Sequence, residues 1–275
     1  MPVHDDLGIR MKTNYENIPK MKLMRREPVI IRIDGKAFHT FTRGFKKPFD
    51  HNLMDAMQLT MKRLCENIQG CVLGYCQSDE ISLLLVDYEK LETDAFFDYE
   101  VQKLCSVSAS MATLYFGQSF CQNIEVSEAI VASIDESYEL SDDYDREYLN
   151  KLADANDTGA MFDSRCFNIP KEEVTNYFYW RQLDAIRNSV QMVGRANFSH
   201  KELQGKSCND IKDMLYDQKG IRWENLPTKE QRGSCCVKKS FKIDGENWSA
   251  WCIDNGIPVF VGDGREYIDK LVFVG

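Results

Sequence analysis

Long apolar runs are missing from this chain of 275 residues. The longest, Ile81 to Val86, is broken by Ser82 and falls far short of the ~20 residues that a bilayer span demands, so no segment is expected to cross a membrane. The first residues carry neither a basic flank leading into an apolar stretch nor a small-residue cleavage site. No secretory signal is read there, and the chain is expected to stay in the cytoplasm. None of the ten cysteines falls in a Cys-x-x-Cys pair, which argues against a structural zinc site. In a chain long enough to build its own core they read as free thiols rather than a disulfide scaffold. There are only four histidines, none paired with a cysteine in ligand spacing, so a Cys/His nucleophile has no support. Neither Gly-x-x-x-x-Gly-Lys-Ser/Thr nor Gly-x-Gly-x-x-Gly occurs, which disfavours the common NTPase and dinucleotide folds.

What is there is the composition of a globular protein, 43% hydrophobic and 28% charged, with one large core or two intimately packed ones. The net charge of −9 argues at first against a nucleic-acid partner. It is unevenly spread: Arg10 to Lys47 holds 11 Lys/Arg against 3 Asp/Glu, and Glu125 to Asp163 holds 2 against 12. Charge beyond a Debye length of ~8–10 Å is screened, so local fields decide who binds where. A polyphosphate or RNA partner stays allowed.

Val29 to Ile33 reads as a strand by its β-branched content and ends at Asp34-Gly35. Leu53, Met57, Met61, Leu64 and Ile68 recur at steps of three or four behind Asp50, a helix with its N-cap. Val72–Gln77 and Ile81–Val86 stand at hairpin spacing. A second helix is expected over Phe96–Tyr115, closed by Gly117, then a strand over Phe162–Ile169 and a long helix from Lys171 to about Val193. Short helices and a β-rich tail follow. The order strand, helix, hairpin, helix, strand is the ferredoxin-like split βαβ, an α/β (α+β) fold in which an antiparallel sheet carries its helices on one face. The reading divides the chain into a catalytic unit over 1–170 and a helical and β-rich C-terminal part over 171–275 packed on it.

That topology places the first and third strands side by side and antiparallel, so the end of the first (Asp34) meets the start of the third (Asp79, Glu80). Carboxylates converging there suit two hard divalent cations that clamp a polyphosphate, magnesium being the expected ion. Taken singly, Asp34-Gly35 is a turn dipeptide and Ser78-Asp79-Glu80 a polar hairpin tip; the topology that joins them reverses the odds. Gly35 lets the backbone come close to a ligand, and Lys36-Ala37-Phe38-His39 supplies amides, a cation, an aromatic plate and an imidazole.

Arg32 to His39, Lys47-Pro48-Phe49-Asp50, Tyr75 to Glu80, Phe162-Asp163-Ser164-Arg165 and Trp180-Arg181-Gln182-Leu183-Asp184 together resemble, in order, the signatures of the tRNA-histidine guanylyltransferase family and its guanylyltransferase-like 3′–5′ polymerase relatives. The resemblance runs from about Tyr15 to Lys239 and leaves the tail after Ile243 unmatched. It implies a polymerase-palm-like core that adds nucleotides to the 5′ end of tRNA, using NTPs (GTP, ATP) and two Mg2+ ions, in a homotetramer. By resemblance Asp34, the Gly35 carbonyl and Asp79 are metal ligands, with Glu80 supporting catalysis. Lys36, Phe38, His39, Lys47, Ser78 and Lys103 then hold the nucleotide. Arg165, Arg181, Asp184, Arg187 and Asn188 face triphosphate or tRNA; Arg181, Asp184 and Asn188 fall on one helical face, for which a solvated surface is the plain alternative.

Where histidine-specific relatives carry His-Ile-Asn-Asn, this chain has Ala185-Ile186-Arg187-Asn188. The expected activity is therefore templated 5′ repair of truncated tRNA, with the histidine-specific addition of guanosine as runner-up. A nucleotide cyclase on a similar palm explains the paired aspartates but not the basic N-terminal third. A non-catalytic RNA-binding module explains the basic third but not the carboxylates.

Overall fold

The computed structural model describes residues 5–133, 146–243 and 246–274. The densest acidic part of the Glu125–Asp163 stretch, over 134–145, lies outside the described residues. In chain order the helices are α1 (Asp6–Met11), α2 (Phe38–Phe41), α3 (His51–Asn67), α4 (Val101–Ser133), α5 (Arg146–Thr158), α6 (Lys171–Asn197), α7 (His200–Leu203), α8 (Cys208–Lys219), α9 (Thr228–Arg232) and α10 (Glu266–Val272). The strands are β1 (Val29–Gly35), β2 (Cys71–Gln77), β3 (Glu80–Leu85), β4 (Phe162–Asn168), β5 (Ser234–Ile243) and β6 (Glu246–Asp254).

They form a six-stranded sheet in the order β4-β1-β3-β2-β5-β6, every neighbouring pair antiparallel. The first four are the ferredoxin-like arrangement read from the sequence. The tail that no motif reached extends the same sheet: β5 pairs with β2, and β6 forms the far edge.

Period-two alternation assigns the two faces. Ile31 and Ile33 of β1 and Ile81 and Leu83 of β3 pack with Met57, Met61 and Leu64 of α3 and Phe116 and Phe120 of α4. Ile30, Leu84 and Tyr75 point the other way, into a core with Val174, Tyr177 and Phe178 of α6 and Ile268 and Val272 of α10. Helices of the N-terminal unit thus cover one face and the C-terminal part covers the other. A third cluster ties the distal half of α6 (Val190, Val193) to α8 (Ile211, Leu215) and Trp223.

Asp50 caps α3 as expected, accepting from the Leu53 amide at 3.0 Å; it also accepts from the Lys46 amide and the Tyr148 hydroxyl of α5. The second helix differs from expectation at both ends. Phe97, Asp98 and Tyr99 have positive φ, so α4 starts only at Val101, and it runs through Gly117 to Ser133. A mid-helix glycine costs about 1 kcal/mol, while the neighbouring turns bury Phe116, Phe120 and Ile124, whose burial is worth about 1.5–3 kcal/mol per side chain. Packing wins over local propensity.

Candidate functional site

Asp34 is the last residue but one of β1, on the α6 face like Ile30 and Arg32 before it. Its strand partners in register are Glu80 on β3 and Asp163 on β4, so three carboxylates stand in a row across the sheet. One row back, Arg32 stands opposite Arg165 and Ser82. The hairpin tip brings Asp79 in from the side, its carbonyl accepting from the Gly35 amide at 3.0 Å. The Asp79 carboxyl is pushed above the usual carboxylate range, chiefly by burial and further by the charge of Asp34.

The acids are held very differently. Glu80 is buried, and Arg181 of α6 donates to both of its oxygens, Nε at 2.7 Å and a terminal nitrogen at 2.8 Å. Arg32 adds a third donor at 2.7 Å. Asp163 takes Arg165 at 2.8 Å. Asp34 is approached only at 3.5 Å by Arg32 and 3.8 Å by Arg165, with 31% of its side chain exposed. It is the loosely held carboxylate of the row. Arg32 Nε is buried without a hydrogen-bond partner.

Among the described residues no group of three metal-ligating side chains occurs. Magnesium is usually held by one or two carboxylates, with phosphates and water completing its shell. The pair Asp34 and Asp79, both half-buried and with the charge of Asp34 raising the Asp79 carboxyl, fits such an ion in the chemistry of its donors.

Two cavities flank this sheet end. One, of about 80 Å³, is lined by Ser78, Phe49, Asn188 and Lys229 among others. The second, of about 460 Å³, lies between the β1–α2 loop and α5 and is lined by Lys36, Arg43, Lys151 and Met161. Lys36 stands two residues from Asp34, and Met161 two from Asp163, so the second cavity opens within about 7 Å of the acidic row.

Several expected residues lie elsewhere. Phe38 is not an open plate but a core side chain, packed on Phe41, Phe116 and Phe162. It folds back over Gly35, where an added Cβ would stand 2.3 Å from its ring. Glu80 and Arg181 neutralise one another, which takes Arg181 off the expected polar surface. Asp184 is shared between Arg181 and Arg187, leaving Arg187 exposed and Asn188 alone of the four at the smaller cavity. His39 and Lys47 are exposed near α2 and α3. Lys103 is not gathered in: it lies over Phe97 on α4, close to the contact of Val101 and Cys105 with Cys166. That is about 10 Å back along the strands and on the other face.

Arg32 and Asp163 had been given no role. The period-two spacing of Arg32 to Asp34 and of Asp163 to Arg165 was the signal that could have assigned both to this face.

A family model, tRNAHis guanylyltransferase, matches residues 9–170, which contain all four strands of the acidic sheet end. The chain belongs to that family. A bacterial tRNA(His) guanylyltransferase-like protein in complex with ATP is 39% identical with a TM-score of 0.79, over 98% of this chain and 100% of that one. Such a protein in complex with GTP is 37% identical with a TM-score of 0.76, over the same shares. The tRNA(His) guanylyltransferase of Saccharomyces cerevisiae is 27% identical over 225 residues, 77% of this chain and 82% of its own. Members of the family are nucleotidyltransferases, and the chain is one of this class.

Proposed function

We propose that this protein adds nucleotides in the 3′-to-5′ direction to the 5′ end of truncated tRNA, choosing each by pairing with the opposite acceptor strand. The observation that carries the reading is the contrast within the acidic row. Glu80 and Asp163 are committed to arginines, while Asp34, next to the half-buried Asp79, is left loosely held at the open sheet end.

Asp34, Asp79 and the Gly35 carbonyl would hold two magnesium ions. When bound, these supply charge neutralisation of a polyphosphate and a lower pKa for an attacking hydroxyl. The chain's own part is positioning. Lys36 and Arg165 would meet phosphate oxygens beside the carboxylates, Ser78 and Asn188, which line the adjoining cavity, would meet the nucleotide, and His39 and Lys47 would edge its approach. Glu80, held by Arg181, fixes the Arg32 guanidinium beside Asp34.

The likeness to proteins complexed with ATP and with GTP supports use of more than one NTP. Histidine-specific addition of a single guanosine is the second reading, favoured by the family model itself; the Ala185-Ile186-Arg187-Asn188 segment, which carries no imidazole, favours repair. A homotetramer in the cytoplasm completes the proposal; in it a neighbouring copy would bring Lys103 to a nucleotide at this sheet end. Among the described residues no helix is long and apolar enough to cross a membrane.

Incubation with labelled NTP, magnesium and 5′-truncated tRNA tests the reading. Stepwise templated extension supports it, one untemplated guanosine supports the second reading, and cyclised nucleotide or RNA retention without extension overturns both.

A further inference from the structure

At the C-terminal end of α6, a cavity of about 500 Å³ lies between α7 and the start of α8, beyond the residues matched by the family model. Arg195, His200 and Lys206 stand on it, its floor includes Phe198, and no carboxylate lines it. Two acids lie close in sequence, and each is committed. Glu202 closes a capping box on Ser199, and Asp210 closes one on Ser207. Hydrogen bonds to those serines hold both carboxyls below their ordinary range. Neither forms an ion pair with Arg195 or Lys206 among the described residues, although the charge of Lys206 adds to the lowering at Asp210, and these two side chains give the cavity a local positive field on an acidic chain.

Its other polar groups are amides. Among the described residues Gln204 has no side-chain hydrogen bond, and Gln191 is engaged by Arg195 alone, at 3.4 Å. Cations for phosphates, carboxamides for base edges and an apolar floor for a base face are the parts of a nucleotide subsite. The cavity is built on a rigid support, since Val190, Val193, Phe198 and Ile211 share one core, where Trp223 donates to Ser189 at 2.9 Å. It is also in line with the site. Asn188 reaches the cavity beside Ser78, and Arg195 lies seven residues on, about 10 Å along the helix axis. That distance spans a few stacked nucleotides of an RNA strand.

Resting on the tRNA reading above, we infer that this cavity is an RNA subsite: it holds the phosphodiester backbone and one base of the substrate strand a few nucleotides from the reacting end.

The test is the double variant Arg195→Ala/Lys206→Ala, both exposed and outside the cores, with Arg195→Lys/Lys206→Arg as the charge-keeping control. Affinity for 5′-truncated tRNA is measured across salt concentrations, alongside equilibrium binding of ATP. The alanine pair is expected to bind tRNA roughly tenfold to a hundredfold more weakly, with a log–log salt slope shallower by about 1.4–1.8, while ATP binding is unchanged and the control keeps the slope. An unchanged slope, or an equal loss of ATP binding, overturns the subsite. A wild type that extends no tRNA, yet whose alanine pair loses RNA affinity as described, refutes the catalytic reading and leaves the subsite standing.

Discussion

Glu80 and Arg181, 101 positions apart in the chain, form a two-pronged buried ion pair at 2.7 and 2.8 Å. Each side chain is 5% exposed. With Arg32 also on Glu80, each oxygen of this carboxylate already accepts from an arginine. The pair joins α6 to the sheet at the row that holds Asp34.

Removing one partner of such a pair strands a buried charge, at a cost of about 3–5 kcal/mol. Arg181→Met and Glu80→Ala are therefore expected to lower the thermal midpoint by about 6–20 °C for a domain of this size. A Glu80→Ala protein that melts like wild type yet adds no nucleotide would return Glu80 to the metal ligands.

Asp34→Ala and Asp79→Asn are expected to behave in the opposite way. Nucleotide addition should fall to background, while the midpoint measured without divalent ions holds or rises, because each change removes charge from a crowded acidic row. Near-normal extension at saturating magnesium would defeat the assignment, and a large loss of stability would make these residues structural.

Phosphate handling separates from RNA retention. Lys36→Ala and Lys47→Ala should weaken NTP use by roughly tenfold to a hundredfold, the worth of one charge-assisted contact, with a smaller effect on tRNA retention. For Lys103→Ala the same loss is expected only through the assembly. Mixing it with Asp34→Ala should restore part of the activity, and failure to complement would count against a nucleotide shared between copies.

The capping box at α8 predicts a pH signature. Asp210 titrates below its ordinary 3.8 in the folded state because Ser207 donates to its carboxylate. Its contribution is therefore complete above that value and is lost as pH falls through the lowered one. Asp210→Asn should melt earlier than wild type at neutral pH, and the two curves should converge in strong acid. A gap that persists there would mean that the charge is not what stabilises this turn.

Selectivity follows from the exposed Arg187, which can grip phosphate of any sequence, a contact that positions an RNA without reading it. Truncated tRNAs with swapped anticodons should compete almost equally, and changing the template nucleotide should change the nucleotide added. A preference for the histidine anticodon on the order of ~1–3 kcal/mol, the worth of one base contact, would favour the second reading.

The meeting of Asp34 with the Asp79–Glu80 tip was legible because it needs only strand order, and hydrophobic period and hairpin spacing encode that order. The division of labour among the carboxylates was not. It depends on how α6 is rotated above the sheet, and a helix carrying Arg181, Asp184 and Asn188 on one stripe is equally compatible with a solvated face. Phe38 misled for a related reason. Its place after Asp-Gly-Lys-Ala suggests a ligand plate, whereas three aromatic partners from α2, α4 and β4 are invisible until the chain is folded. The join of β5 to β2 left no local trace at all.

That join also sets a schedule. Cys76 pairs with Ser234, so the inner edge of β2 waits for chain that emerges about 158 residues later. At about 5–20 residues per second of synthesis, a growing polypeptide carries this bare strand edge for about 8–30 s. Throughout that interval the α6-facing side of the sheet is also incomplete, since α10 comes later still. The nascent chain, rather than the finished enzyme, is where this protein is most exposed to wrong partners.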